Sequence, residues 1–471
     1  MIIHTIKSGE SLWKIAAYYR VSLSSIIELN ELSSPNQIVI GQAIVIPTED
    51  TYHTVMPGET LWRIAQTYGI TVQAILQYNQ ITNPASITPG NLLYIPAARH
   101  SVQPGESLWQ IAQRYGVSVQ TLMKINNITN PSFIYPGNEL ILPTKLRPVI
   151  YVNGYVYILG EQAAPIIREV GKHLTYLCPF AYRIRENGDL QPINDQPAVN
   201  TAYSMNAVPL MSITNFTSTE LGENLAHTVL SDPQIVERLL ANCIRIMNQK
   251  GYRGLNIDFE NVLPEDRENY NRFLLLAVDR LHPAGFIVSS AVAPKTSAGQ
   301  TGLLYTAHDY AAHGRILDFV VLMTYEWGYR LGPPRAISPI DQIRRVLDYA
   351  VTVIPRDKIY FGFQIYARDW LLPHVQGQEA ETLSNKEATD RAVQYGAVIQ
   401  YDRVAESPFY RYKDEQGRMH EVWFEDARSA QAKFDVVKAY GLRGISYWAL
   451  GYPYPENWAL LEDNFTVRKL I

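Results

Sequence analysis

Apolar residues recur in two rhythms along this chain, and the change falls near Pro148. Before it, the spacing is that of short helices. Leu12, Ile15, Ala16 and Tyr19 stand at i, i+3, i+4 and i+7, one face of a helix. Ser8-Gly9-Glu10 ahead of them supplies turn and helix-start signals. A second short helix carries Ile26, Ile27 and Leu29 and ends at Asn30; Ile44-Val45-Ile46 then reads as a strand stopped by Pro47. The order returns twice. His4–Thr48, His53–Ala97 and His100–Thr144 align without a gap, and each carries Gly-Glu-[Ser/Thr]-Leu-Trp, a clear internal repeat. The unit is strand, helix, helix, strand, with Asn79 and Asn126 equivalent to Asn30. Three modules are expected, at 1–49, 50–98 and 99–146. So small a unit has a thin core, which Trp13, Trp62 and Trp109 are expected to help fill.

After Pro148 apolar strands alternate with helices. Strands are predicted at 149–158, 174–182, 208–216, 254–260, 286–294, 319–325, 359–367 and 444–451, with helices such as 233–249, 265–282, 339–353 and 427–440 between them. Eight such units read as a parallel (β/α)8 barrel over 147–471, an α/β fold. A stretch near 397–425, with Tyr410 and Tyr412 and then Val422-Trp423-Phe424, reads as an inserted antiparallel hairpin beside the cleft.

Barrel chemistry belongs at the carboxyl ends of strands. In Gly254-Leu255-Asn256-Ile257-Asp258-Phe259-Glu260, Asn256, Asp258 and Glu260 share one face and the apolar residues the other. Two acids held close cannot both ionise freely, so one tends to keep its proton. The bland alternative is a strand end with solvated acids; for a bare Asp-x-Glu the two readings stand about even, and the surroundings break the tie. Strand six adds Met323, Tyr325, Glu326 and Trp327; strand seven Gln364, Tyr366 and Asp369-Trp370; strand eight Tyr447 and Trp448; Tyr182 ends strand two. Aromatic rings and acids converging on one rim suit a sugar.

Composition narrows the rest. A formal net charge of -4 argues against a nucleic-acid partner. No apolar run approaches the ~20 residues of a membrane span. With two cysteines, Cys178 and Cys243, neither a disulfide framework nor a metal site is expected; both thiols are expected to be buried, and no cofactor is implied. Met1-Ile2-Ile3-His4 runs straight into the first repeat, so no secretory leader is expected.

The repeats resemble the LysM module, which binds N-acetylglucosamine in peptidoglycan and chitin. The resemblance implies a shallow groove between two loops: Gly9-Glu10-Ser11 with Ser34-Pro35, Gly58-Glu59-Thr60 with Asn83-Pro84, and Gly105-Glu106-Ser107 with Asn130-Pro131. The plain alternative is that these are turn formers. Weak sites in series gain by effective concentration.

The barrel resembles glycoside hydrolase family 18. That family's D-x-x-D-x-D-x-E keeps its last two acids here as Asp258 and Glu260, with Arg253 and Asn256 at the first two positions. Its M-x-Y-[D/E] is matched by Met323, Tyr325 and Glu326, and its strand-eight Trp by Trp448. The resemblance implies that Glu260 is the general acid and then the base. The substrate's own 2-acetamido oxygen is the nucleophile, an exception to two-carboxylate hydrolysis. Asp258 accepts the acetamido N–H, and Tyr325 holds the acetamido oxygen. Asn256, Met323, Glu326, Trp327, Trp448, Gln364, Tyr366 and Tyr182 are the expected binding residues. An amide at 256 cannot take a charge, so Asp258 is expected to ionise more readily.

Joined to LysM repeats, the barrel resembles the spore cortex-lytic members of the family, which usually carry two modules rather than three. The favoured activity is a peptidoglycan N-acetylglucosaminidase. A chitinase on the same fold is the second reading, and a non-catalytic glycan-binding protein the third, against which Glu260 argues. Partners are then peptidoglycan or chitin-like glycans, with no membrane and spore coat proteins as neighbours. The expected location is the spore coat or cortex, reached from mother-cell cytoplasm.

Overall fold

The computed structural model describes residues 1–32, 36–115, 117–143, 147–217 and 220–471. The chain divides into two compact units, one of Met1–Ile38 with Ala43–Pro148 and one of Val39–Gln42 with Val149–Ile471.

The first unit holds three copies of one design. In the first copy, strand Ile2–Thr5 pairs antiparallel with Ala43–Ile46, and helices Leu12–Tyr19 and Leu23–Leu29 lie between them in sequence. The helical stripe Leu12, Ile15, Ala16 and Tyr19 is buried against Ile44 and Ile46. Asn30 ties helix to strand: its Nδ2 donates to the Val45 carbonyl (2.8 Å) and its Oδ1 accepts from the Val45 amide (2.7 Å). Asn79 does the same to Tyr94 and Asn126 to Ile141. A side-chain amide thus substitutes for a missing strand, which explains why the repeated residue is asparagine. Ser22 and Thr71 start the second helices by accepting amides from Ser25 and Ala74.

Trp13, Trp62 and Trp109 correct the expectation of a filled core: they are 70%, 64% and 63% exposed. Each follows the buried Leu12, Leu61 or Leu108 by one position, about 100° around the helix, and so points outward. The small cores close without them.

The second unit is the expected barrel. Its strands are Val149–Val156, Tyr176–Pro179, Val208–Pro209 continuing as Met211–Thr214, Gly254–Asp258, Ile287–Val292, Phe319–Leu322, Ile359–Gln364 and Gly444–Trp448. Every neighbour pairing is parallel, and strand eight returns to strand one through Tyr447↔Gly154. The predicted strands run two or three residues too long at most carboxyl ends, because the rim residues leave the ladder there. Helices such as Pro233–Lys250, Arg267–Leu281, Ile340–Val353 and Ala427–Tyr440 follow the strands. Phe259 shows how strand and helix lock: it stacks on Phe273 (5.5 Å) and Tyr270 (5.8 Å). Cys178 and Cys243 are buried, and burial pushes the Cys243 thiol up to about 12.

The insertion between strands seven and eight is larger than a hairpin at 397–425. The hairpin Ser407–Lys413/Met419–Trp423 belongs to a five-stranded antiparallel sheet that starts at Tyr366–Leu372 and also holds Glu381–Ser384 and Gln400–Asp402. Tyr366 and Asp369 therefore belong to the insertion rather than to strand seven.

Candidate active site

At the carboxyl ends of the strands lies a cleft of about 550 Å³, and Asp258, Glu260, Met323, Tyr325, Glu326, Trp327 and Trp448 all line it. Residues from strands four, six and eight, expected separately from the sequence, thus share one cavity. Trp448 forms a floor braced edge-on by Phe180 (4.8 Å) and Tyr155 (5.7 Å). Phe216, Leu221, Leu304 and Tyr305 add an apolar wall. The peptide bonds Phe180–Ala181 and Trp448–Ala449 are cis.

Asp258 is the last residue of strand four, paired with Thr214 of strand three, and is buried. Its Oδ1 has no hydrogen-bond partner among the described residues. Burial, and then the charge of Glu260, hold its carboxyl well above the usual carboxylate range. This corrects the expectation that Asn256 lets Asp258 ionise more readily. Asn256 is fully buried beneath the cleft. Its Oδ1 accepts from the Tyr155 hydroxyl (3.0 Å) and its Nδ2 donates to Ser289 Oγ (3.0 Å). With its amide engaged on residues of strands one and five, it makes no hydrogen bond to Asp258.

Burial, and then the charge of Glu326, push Glu260 from its ordinary 4.5 up to about 7. That value suits a group that must donate a proton near neutrality and take one back. The shift also sets a pH dependence. The folded protein holds a proton on Glu260 that the unfolded chain releases near 4.5. The associated stability is therefore complete below 4.5 and is lost as pH rises through about 7. Chemical denaturation from pH 5 to 8 is expected to show this loss, on the order of 3 kcal/mol at roughly 1.4 kcal/mol per unit. Glu260→Gln is expected to reduce it, leaving the part that belongs to the buried Asp258 carboxyl.

Tyr325 keeps its proton: burial first, then the charges of Asp258 and Glu260, drive its hydroxyl well above the ordinary phenol value. It remains a hydrogen-bond donor in the cleft. Glu326 has a left-handed backbone (φ 67°). Its Oε1 accepts from Arg368 (2.9 Å) and from the Tyr366 hydroxyl.

Four expected binding residues lie outside the lining: Asn256, beneath the cleft, and three more. Tyr182 is buried, with its hydroxyl on Asp195 Oδ2 (2.6 Å). Gln364 is fully buried and donates to Glu425 Oε1 (2.8 Å), which shares its carboxylate with Lys433. Tyr366 is buried and touches two lining residues, Glu326 through its hydroxyl and Arg368 through its ring. Sequence reading missed Arg330, Arg368 and Glu379 in the lining. The arginines come from a loop and the insertion sheet, where no strand-end rule points.

In the repeats, Gly9, Gly58 and Gly105 turn the chain at φ 81°, 82° and 83°, a conformation that favours glycine. Glu10, Glu59 and Glu106 fold back onto His4, His53 and His100 and onto the amides of Lys7, Met56 and Gln103. Those amides, then the imidazoles, hold Glu59 and Glu106 below the usual range. Ser11, Thr60 and Ser107 accept from helix amides. Asn83 and Asn130 close turns ahead of Ala85 and Ser132, beside Pro84 and Pro131. Most polar side chains of these loops thus have work inside their own module. Ser33, Ser34 and Pro35 lie outside the described residues.

The family model described as glycosyl hydrolases family 18 matches residues 197–452, and the LysM domain model matches 4–47, 53–96 and 100–143. The chain belongs to glycosyl hydrolases family 18. Within it, the chain is 45% identical to the cortical fragment-lytic enzyme of Bacillus subtilis (strain 168), over 100% of this chain and 99% of that one. It superimposes on the spore cortex-lytic enzyme SleL of Bacillus megaterium QM B1551 with a TM-score of 0.80 at 37% identity, over 100% and 99% of the two chains. SleL of Bacillus cereus gives 0.68 at 38%, over 89% and 99%. The (β/α)8 fold, the LysM modules and the family 18 resemblance read from the sequence are all present, and the protein is a glycoside hydrolase.

Proposed function

We propose that this family 18 enzyme cleaves N-acetylglucosaminyl bonds of spore cortex peptidoglycan with retention, through the substrate's own acetamido group. One observation carries the reading: Asp258, Glu260 and Tyr325, each driven toward its protonated form, line one cleft with Trp448. Glu260 protonates the glycosidic oxygen. The acetamido oxygen closes on C1, and because it is tethered to the same ring little entropy is lost. Asp258 Oδ1, without a partner in the free enzyme, accepts the acetamido N–H. Asp258 gives up its proton to solvent as the acetamido group seats against it, and the resulting carboxylate balances the positive charge of the oxazolinium ion, so its interaction strengthens toward the transition state. The Tyr325 hydroxyl holds the acetamido oxygen in line. The glycosidic C1–O bond breaks as the ring closes; Glu260 then takes a proton from the water whose oxygen attacks C1 and displaces the acetamido oxygen. The retained acid at 260 weighs against a purely glycan-binding role.

The LysM modules, bounded at 1–49, 50–98 and 99–146, hold the enzyme on insoluble glycan. The names of the Bacillus relatives favour the spore as its place of work; synthesis in the mother cell is part of the same proposal. Mass spectrometry of digests of spore cortex, vegetative wall and chitin tests the assignment. N-acetylglucosamine at the new reducing end of cortex fragments is the expected product. Release from chitin alone would favour the chitinase reading.

A further inference from the structure

Glu260 lies two residues past the end of strand four, where no ladder holds the chain. Two side chains from either side take the place of the missing rungs. On the strand-three side, pairing ends at Thr214↔Asp258. The next residue, Asn215, meets both peptide groups of Glu260: its Nδ2 donates to the carbonyl (2.7 Å) and its Oδ1 accepts from the amide (2.9 Å). Asn215 is fully buried and is held in turn by the Gly222 carbonyl (3.1 Å). On the strand-five side, the His308 ring bridges the two strand ends. Its Nδ1 accepts from the Ala293 amide (2.9 Å) and its Nε2–H donates to the Phe259 carbonyl (2.9 Å). Those partners dictate one tautomer. Burial holds His308 down to about 4, so the ring stays neutral and keeps its acceptor. Lys295 anchors the His308 carbonyl (3.0 Å).

We propose that Asn215 and His308 are positioning residues for the general acid, two side-chain amide-like bridges that hold the Phe259-Glu260 backbone so that the Glu260 carboxyl meets the glycosidic oxygen. The inference rests on the role given to Glu260 above. Neither residue touches the substrate. Both act on the segment from which the acid projects, and a shift of about 1 Å there costs on the order of 100-fold in rate. Burial first, and then the charge of Glu326 beyond the end of strand six, set the titration of Glu260; Asp258 and Tyr325 face it and are raised in turn by its charge. Lys295 and His313 flank His308 on the other side.

The test uses the full chain with Asn215→Ala, Asn215→Asp, His308→Phe and His308→Gln, and Glu260→Gln alongside, on a soluble N-acetylglucosamine glycan. Asn215→Ala and His308→Phe are expected to lower kcat by about 10- to 100-fold, with KM within about threefold. Glutamine places a donor beside an acceptor much as the ring does, so His308→Gln is expected to recover most of the rate. Asn215→Asp is nearly isosteric but sets a carboxylate against the Glu260 carbonyl. It is expected to lower kcat and to move the alkaline limb of the pH profile upward. A role in stability alone would lower the unfolding temperature and leave that limb in place, which overturns the proposal. So does normal kcat in Asn215→Ala and His308→Phe while Glu260→Gln is inactive. If either of those two fails to fold, Asn215→Asp and His308→Gln decide. Normal turnover by Glu260→Gln would remove both this inference and the acid assignment beneath it.

Discussion

Glu260→Gln is expected to lower kcat by about 10²–10⁴-fold while leaving the fold and glycan binding close to those of the parent. The change is almost isosteric. It keeps the two backbone bonds to Asn215, which involve main-chain atoms only, and removes the one transferable proton. It also removes a carboxylate that helps hold Asp258 protonated; Asp258 should then titrate lower in the variant. The check is single-turnover hydrolysis of a soluble glycan, with affinity measured separately. A kcat within tenfold of the parent would end the assignment of Glu260 as the acid.

The second large effect is expected at Asp258. Asp258→Asn should lower kcat by about 10²–10³-fold with a small change in KM. The asparagine can still meet an acetamido group but cannot balance the positive charge that grows on it. An N-acetylglucosamine thiazoline should inhibit the parent enzyme and bind the variant less tightly, because it imitates the charged ring. Glycans lacking the 2-acetamido group provide the decisive comparison. Equal cleavage of those by the parent enzyme would rule out substrate assistance.

Much of this site could be read from residue order. Alternation along 254–260 put the acids on one face, and strand-end logic gathered Tyr325, Glu326 and Trp448 before any coordinates. Such contacts follow a local period of two and the symmetry of a parallel barrel. What escaped depends on partners far along the chain. Asn256 shares a face with Asp258 and reads as a binding residue, but its amide is taken by Tyr155 and Ser289, from strands one and five. His308 acts on Phe259 across 49 positions, with no motif to announce it. Tyr182 shares the composition of a sugar contact, yet Asp195 and Lys250 hold it inside the protein. The insertion was underestimated because its first strand runs on from strand seven with only Ile365 between.

That insertion has an entropic consequence. Arg368 ties to Glu326, the Trp370 indole donates to the Gly332 carbonyl (2.8 Å), and the Ala380 amide donates to the Arg330 carbonyl (2.8 Å). The loop after strand six is therefore pinned at three places by a sheet with its own packed core. Its conformational freedom is surrendered when the chain folds rather than when a glycan arrives. On that side of the cleft the ligand meets a preorganised wall, and its binding free energy is not diminished by ordering the loop.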